Sequence, residues 1–341
     1  MANDTDKSTK RVRELKATLN GHGSMLIVLQ DNPDPDAIGA AVGLRRLANA
    51  WGVQCSLGTG AGVGRAENRA MVSYLDLNLR DVRSLEPERF DILALVDTQP
   101  GTGNNSLPAG QLPEIVIDHH PIRRETRSAE FTDIRRRYGA TSTILTEYLL
   151  AEGIVPEPPL ATALLYGIRS DTQDFGREST QADMNAFETL YPLANKRVLG
   201  AIQRGQVPGE YFKVISNALD NARLCGSAIY SPLGAIENAD MVAEVADLLL
   251  RHEQARWSCC WAQSGDRILL SVRSSVTDPT ANELAHKITH HKGSGGGHSS
   301  MAGGQLPLPE TATGVKKLET LIRRRFLEAT GNEKAPCRRL T

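Results

Sequence analysis

Short aliphatic runs alternate with stretches of helical spacing through the first half of the chain. Met25 to Leu29 (MLIVL), Ile92 to Val96 (ILALV) and Glu114 to Ile117 (EIVI) are the clearest runs. Runs this short, without polar alternation, read as strands buried on both faces of a parallel sheet. Ala37 to Trp51, Thr141 to Leu150 and Leu160 to Ile168 read as helices rich in Ala and Leu. Strands alternating with helices predict an α/β domain. Residues 181–223 read as helical almost throughout, capped by Ser179 or Thr180 and cut by Pro192 and Pro208. After Cys225 the alternation restarts. Ala228 to Tyr230, Trp257 to Ala262 and Ile268 to Val272 read as strands, and Met241 to His252, Thr280 to Thr289 and Val315 to Glu328 as helices. Gly293 to Gly297 reads as a glycine-rich loop. The expected division is a first lobe over 1–190, a helical linker over 191–224, a smaller α/β lobe over 225–330 and a mobile tail over 331–341.

Composition agrees with two domains, since 341 residues at roughly 150 per domain give two. Hydrophobic residues make up 40% and charged residues 23%, as in ordinary globular proteins. Lys plus Arg is 39 against 40 for Asp plus Glu, a formal net charge of −1. That balance argues against a general duplex-binding protein, which needs a strong positive field. No apolar run approaches a membrane span, and the polar start from Met1 to Arg13 shows no secretory signal. A cytoplasmic location is the default expectation. The five cysteines include no C-x-x-C pair, so reduced thiols are expected rather than a disulfide framework or a zinc ribbon.

The chemistry lies where the strands end. After MLIVL comes Gln30-Asp-Asn-Pro-Asp34-Pro-Asp36, after ILALV comes Asp97, and after EIVI comes Asp118-His119-His120. Asp171 follows the apolar stretch Leu164 to Ile168. Ligands of open parallel sheets bind beyond the carboxyl ends of the strands, so these groups are expected to converge. Crowded carboxylates and imidazoles repel unless a cation sits among them. Oxygen-rich sites with some imidazole suit Mn²⁺ or Mg²⁺. The D-x-D spacing lets neighbouring carboxylates address two ions about 3.5–4 Å apart, a spacing that can hold phosphoryl oxygens and activate a bridging water. Any one Asp at a strand end, taken alone, reads most often as a turn or cap residue; the weight lies in the order of all of them.

That order resembles the DHH phosphoesterase superfamily, through N-P-D-P-D-A-I-G-A (Asn32 to Ala40), L-V-D-T (Leu95 to Thr98), D-H-H-P (Asp118 to Pro121) and G-I-R-S-D-T (Gly167 to Thr172). G-S-G-G-G-H (Gly293 to His298) is similar to the loop of the DHH-associated domain. The resemblance covers about residues 20–330. It implies two lobes: a parallel-sheet metal-binding domain and a substrate domain. It implies Asp34 on a first metal, Asp36 on a second, Asp97 bridging both, and His119 and Asp171 completing the second. By the same likeness, His120 stabilises charge or protonates the leaving group, Asp118 orients the imidazoles, and Arg273, Gly295, Gly296, Gly297 and His298 bind substrate. Three positions depart from the pattern. Gln30 stands where oligoribonuclease-like members have a metal-binding His, as RecJ-type members also lack one. Gln173 stands where many members have Gly, and Ala40 where Ser is common.

The resemblance implies an Mn²⁺-dependent hydrolase with two ions, Mg²⁺ being an alternative, acting as a phosphodiesterase or nuclease of oligoribonuclease type on short oligonucleotides, linear dinucleotides or pAp. Near-neutral charge favours a short single-stranded nucleic acid or small nucleotide gripped locally. Pyrophosphate or polyphosphate hydrolysis remains open because aromatic residues are only 5%, leaving little for base stacking. Gln30 motivates a third reading, a catalytically weak nucleotide-binding regulator. Six arginines between 123 and 137 face three acids, a local excess that reads either as a solvated loop or as steering for an anion. No membrane partner is expected, and homo-oligomer formation stays open.

Overall fold

The computed structural model describes residues 2–60, 62–108, 110–176 and 179–340. The chain forms two compact units, residues 1–206 and 207–341. The division falls inside the helical stretch read from the sequence.

The first unit runs α1 (Ala2–Leu19), β1 (Ser24–Val28), α2 (Pro35–Ala50), β2 (Gln54–Thr59), α3 (Ala66–Tyr74) and β3 (Leu79–Asp81). It continues with β4 (Ile92–Val96), β5 (Ile115–Asp118), β6 (Phe131–Ile134), α4 (Thr141–Ala151), α5 (Pro158–Asp171), α6 (Gln181–Leu190) and α7 (Lys196–Ile202). Its six strands form a wholly parallel sheet in the order β3-β2-β1-β4-β5-β6. The aliphatic runs are continuous because both faces are covered. Met25, Ile27, Ile92, Ala94 and Val96 enter the core with α2, α4 and α5, while Leu26, Val28, Leu93 and Leu95 pack against Val82, Leu85 and Phe90. The order reverses between β1 and β4, the place where an open parallel sheet leaves a crevice beyond its strand ends.

The polar composition of α1 gives little sign of a helix. It buries Val12, Leu15 and Leu19 and lays Arg11 over the Phe131 ring at 4.4 Å. The expectation of helix breaks at Pro192 and Pro208 holds: α6 ends at Leu190, and Pro208 precedes α8 (Gly209–Asn221).

The second unit contains α8, β7 (Arg223–Cys225), β8 (Ala228–Ala235), α9 (Met241–Leu250), β9 (Trp257–Ser264), β10 (Arg267–Ser274) and α10 (Ala281–Thr289). It closes with β11 (Ser294–Gly297), β12 (Met301–Pro307), α11 (Ala312–Ala329) and β13 (Cys337–Arg339). Its sheet order is β11-β12-β10-β9-β8-β7-β13, antiparallel except between β8 and β9. Cys259 and Trp261 pack with α10 and α11 on one face, and Cys260 and Ala262 with α8 and α9 on the other.

Three expectations about this unit are corrected. Residues 294–297 form an edge strand rather than a loop, with Gly295 opposite Gly304 and Gly296 opposite Gly303. Glycine is required there for close packing: a Cβ at Gly295 would lie 2.9 Å from Thr289 Oγ1 and 3.0 Å from Ala285 O of α10. The tail after Thr330 carries β13, paired with β7. Cys225 and Cys337 are joined as a disulfide, so not all thiols are reduced; Cys55, Cys259 and Cys260 are free. Strand register brings together two cysteines 112 residues apart, which no local spacing reveals. Among the described residues, no helix is long and apolar enough to cross a membrane.

One contact in the first unit sets the site. Helices α2 and α5 approach closely at Gly167, where a Cβ would run into Ser142 Oγ and lie 3.1 Å from Asp36 Cα. That approach brings the start of α2 beside the end of α5. Gly167→Ala is therefore expected to cost on the order of 1–3 kcal/mol through overpacking. Urea unfolding of the purified variant measures this, and parental stability would show that the contact has slack.

Candidate active site

Each carboxylate is held by the element that ends or begins beside it. Asp34 is the N-cap of α2, its Oδ1 accepting from Ala37 N at 2.9 Å. Asp36, in the first turn of α2 and 1% exposed, accepts from Thr141 N at 2.7 Å and Ser142 N at 2.8 Å. These are the first amides of α4, so a helix N-terminus holds the negative charge. Asp97 follows β4 at φ 59°, a left-handed conformation rare outside glycine, and its Oδ1 accepts from Thr141 Oγ1 at 2.9 Å. Asp171 is the last residue of α5. The departures are also placed. The Gln30 side chain hydrogen-bonds Asp34, and Asn104 Nδ2 donates to its Oε1 at 3.3 Å. Gln173 has φ 49°, a conformation glycine adopts at less cost.

The two histidines differ in role. His119 Nδ1 lies 3.0 Å from the Tyr138 carbonyl, which can only accept, so Nδ1 carries the proton. Its buried Nε2 then faces the carboxylates, paired with Asp171 Oδ2 at 2.9 Å and 3.6 Å from Asp97 Oδ1. His120 Nδ1 is 2.8 Å from Asp118 Oδ1. Asp118, fully buried, also accepts from the backbone N–H groups of His119 at 2.7 Å and His120 at 3.2 Å. It therefore holds the His120 ring and both histidine amides.

Electrostatics register the crowding. Burial, then the charge of Asp171, raises Asp34 above the usual carboxylate range and pushes Asp36 up to about 6. Burial, then the charges of Asp36 and Asp34, raises Asp97 well above that range. For Asp118, burial raises the value, but the hydrogen bond and charge of His120 outweigh it and the group lies low. Burial works against the charged form of His119, but the closeness of Asp171, with Asp36 and Asp118 beyond, lifts it to about 10.

Two groups of candidate ligand atoms lie within 4.8 Å of one another: Asp36, His119 and Asp171, and Asp97, Asp118, His119 and His120. A buried imidazole nitrogen set among carboxylates whose ionisation burial opposes is, once it gives up its proton, a donor set that suits a hard divalent cation.

Two positioning groups stand outside the sequence motifs. Gln99, 1% exposed, donates to Asp118 Oδ2 at 2.6 Å and accepts from Arg123 N and Thr126 Oγ1, each at 2.8 Å. Asp183, fully buried, accepts from Gly139 N at 2.9 Å, Thr143 Oγ1 at 2.6 Å and Thr180 N at 2.7 Å. It fixes the turn that offers Tyr138 O to His119 and the start of α4 to Asp36. The capping box of Thr180 and Asp183 is the sequence signal available for it.

In the second unit, Arg273 is 7% exposed. It pairs with Asp247 of α9 and donates to Ser271 Oγ at 2.6 Å. Gly295 instead abuts α10, and Gly297 N donates to Asn282 Oδ1 of that helix at 3.0 Å. His298 N donates to Met301 O at 2.7 Å. The expected substrate residues are thus divided between elements that pack on opposite faces of the sheet.

Residues 24–168 match the model of the DHH family, N-terminal domain, and residues 226–324 match that of the DHHA1 domain. The chain belongs to the DHH family of phosphoesterases, with a DHHA1 domain at its C-terminal side. A protein of Methanocaldococcus jannaschii is 33% identical over 332 residues, 94% of this chain and 67% of its own length. An A-adding tRNA nucleotidyltransferase of Aquifex aeolicus is 30% identical over 158 residues, 46% of this chain and 18% of its own length. Among solved structures, an exopolyphosphatase-related protein of Bacteroides fragilis superposes with a TM-score of 0.74 at 16% identity, over 94% of this chain and 98% of that one. RecJ of Thermus thermophilus, crystallised with Mn²⁺, gives 0.51 at 14% identity, over 94% and 55%. Both are likenesses of fold.

The protonation linkage is testable without substrate. His119 sits at about 10 in the folded protein against an ordinary 6.5, so the stability it contributes is full below 6.5 and lost as pH rises toward 10. The raised value of Asp36 acts in the same sense, with loss as pH climbs from 3.8 through 6. Metal-free protein is expected to melt at progressively lower temperature from pH 6.5 to 10, and His119→Asn to show a flatter profile. A flat parental profile in calorimetry would contradict the arrangement.

Proposed function

We propose that this protein is an Mn²⁺-dependent phosphoesterase that hydrolyses the diester bonds of short oligonucleotides or linear dinucleotides, or a monoester of pAp. The observation that carries the reading is the buried Nε2 of His119 set among Asp36, Asp97 and Asp171. In this reading Asp34, Asp36, Asp97, His119 and Asp171 would hold the divalent ions. Bound ions would supply Lewis acidity, lowering the pKa of water and drawing charge from phosphoryl oxygens.

The chain's own groups do the rest. His120 is half-exposed, and Asp118 orients its Nδ1, which leaves the opposite ring nitrogen as the group to protonate a departing oxygen. The α4 N-terminus steadies Asp36. Arg273, Gly295, Gly296, Gly297 and His298 bind substrate in the DHHA1 domain. For Arg273 this requires exchanging Asp247 for a phosphate, a trade its planar fork suits. The near-neutral net charge supports a short substrate.

A second reading, hydrolysis of pyrophosphate or polyphosphate, draws support from the likeness to an exopolyphosphatase-related fold and from the scarcity of aromatic residues. The third, a nucleotide-binding regulator of weak activity, rests on Gln30.

Incubation with labelled pApA, a pentanucleotide, pAp and pyrophosphate, with and without Mn²⁺, separates the three. The proposal expects Mn²⁺-dependent mononucleotide or phosphate release from the nucleotides, and none from Asp97→Ala, whose circular dichroism remains native. Release from pyrophosphate alone supports the second reading, and binding without product the third.

A further inference from the structure

Five exposed arginines follow the histidine pair along the chain. Arg123, Arg124 and Arg127 lie on the segment after Pro121, and Arg136 and Arg137 on the turn after β6. The sixth arginine of this region is different. Arg135 is 4% exposed, pairs with Asp133 at 2.8 Å and Glu147 at 2.6 Å, and stacks over Tyr138 at 5.0 Å. Removing Arg135 and Asp133 from the count leaves five exposed cations against Glu125 and Glu130. Among the described residues, no ion pair joins any of the five to an acid. Glu125 folds back toward the turn at Gly101, where a Cβ would lie 3.1 Å from its Oε2.

Both segments are tied to the dyad by hydrogen bonds. Gln99 takes the Arg123 N–H and the Thr126 hydroxyl on its oxygen, and gives its amide to Asp118, to Pro121 O at 3.2 Å and to His120 O at 3.5 Å. On the other side, Tyr138 next to Arg137 holds His119 through its carbonyl. The buried Arg135 and Asp183 fix that turn from beneath, the latter through Gly139 N. The charged segments are therefore registered on the groups expected at the scissile phosphate. Exposed cations on segments anchored in this way are available to the flanking charges of a substrate rather than to the bond being broken.

We infer that Arg123, Arg124, Arg127, Arg136 and Arg137 form a binding rim for the phosphates adjoining the scissile one, so that the preferred ligand is a chain of several phosphates. The inference rests on the proposed reading of the His119–His120 site. The shared chemistry is a run of phosphates joined through nucleosides or directly to one another. Such a rim also accounts for a near-neutral protein engaging a polyanion, since the positive field is local.

The test is binding of a fluorescein-labelled phosphorothioate pentanucleotide to the full chain with Mn²⁺, followed by anisotropy from about 50 to 200 mM salt. Arg123→Ala/Arg124→Ala and Arg136→Ala/Arg137→Ala are each expected to weaken binding several-fold. Each should also flatten the salt slope by about 0.7 for every phosphate no longer neutralised. Arg13→Ala/Arg80→Ala, which removes the same charge elsewhere on the unit, should keep the parental slope. Unlabelled pentanucleotide and inorganic polyphosphate compete in separate arms; displacement by either supports the rim and names the source of the phosphates. No binding by the parent, or rim variants with parental affinity and slope, overturns the rim. Binding without turnover leaves the rim standing and removes the proposed hydrolysis; turnover with unaffected rim variants removes the rim alone.

Discussion

Like charges forced together in a dry place govern this molecule. The parallel sheet reverses its order between β1 and β4, and the segments leaving that reversal carry Asp34 and Asp36, at the start of α2, and Asp97. Asp118 and His119 come from the next strand and Asp171 from the end of α5. Burial makes their joint ionisation costly, so Asp34, Asp36 and Asp97 are raised from the ordinary carboxylate value and His119 is driven to hold a proton. A protonated imidazole balances the site only in part. The same donors around a divalent cation would restore ionised carboxylates and free the Nε2 lone pair, a coupling of metal and proton expected for such ligands.

The surrounding scaffold serves that cluster at several removes. The first amides of α4 compensate Asp36 from one side, and the missing side chain of Gly167 lets α5 come close enough to deliver Asp171. Gln99 joins β4's exit to Asp118 and onward to the arginine-bearing segment. Asp183, from a helix well along the chain, steadies the turn whose carbonyl sets the His119 tautomer. Each of these groups fixes an atom of the acidic cluster or of the histidine pair. Holding ligands through such partners is typical of metal sites.

Much of this is legible in the sequence. The aliphatic runs mark β1, β4 and β5 because only a doubly covered parallel strand tolerates such composition, and the acids at their ends mark the site. Helix α1 is hidden because few of its residues are apolar; it gains its place from contacts with α4 and β6. The glycine run reads as a loop because glycine signals both freedom and close approach, and only the packing of α10 distinguishes them. The Cys225–Cys337 pair and β13 depend on strand register. Arg135 reads as one more solvated cation until Asp133, Glu147 and two tyrosine rings enclose it. Gln99 and Asp183 belong to no catalytic motif, because a positioning residue is defined by what it meets in three dimensions.

The central claim is that protons stand in for a cation among these groups. The direct measurement is calorimetric titration of the metal-free protein with Mn²⁺ at pH 8, in buffers of differing ionisation enthalpy, a pH at which His119 with its value of about 10 remains protonated. The account predicts binding accompanied by net release of protons to the buffer, with the release diminished in His119→Asn. Failure of Mn²⁺ to bind, or binding with no protons exchanged, would contradict it.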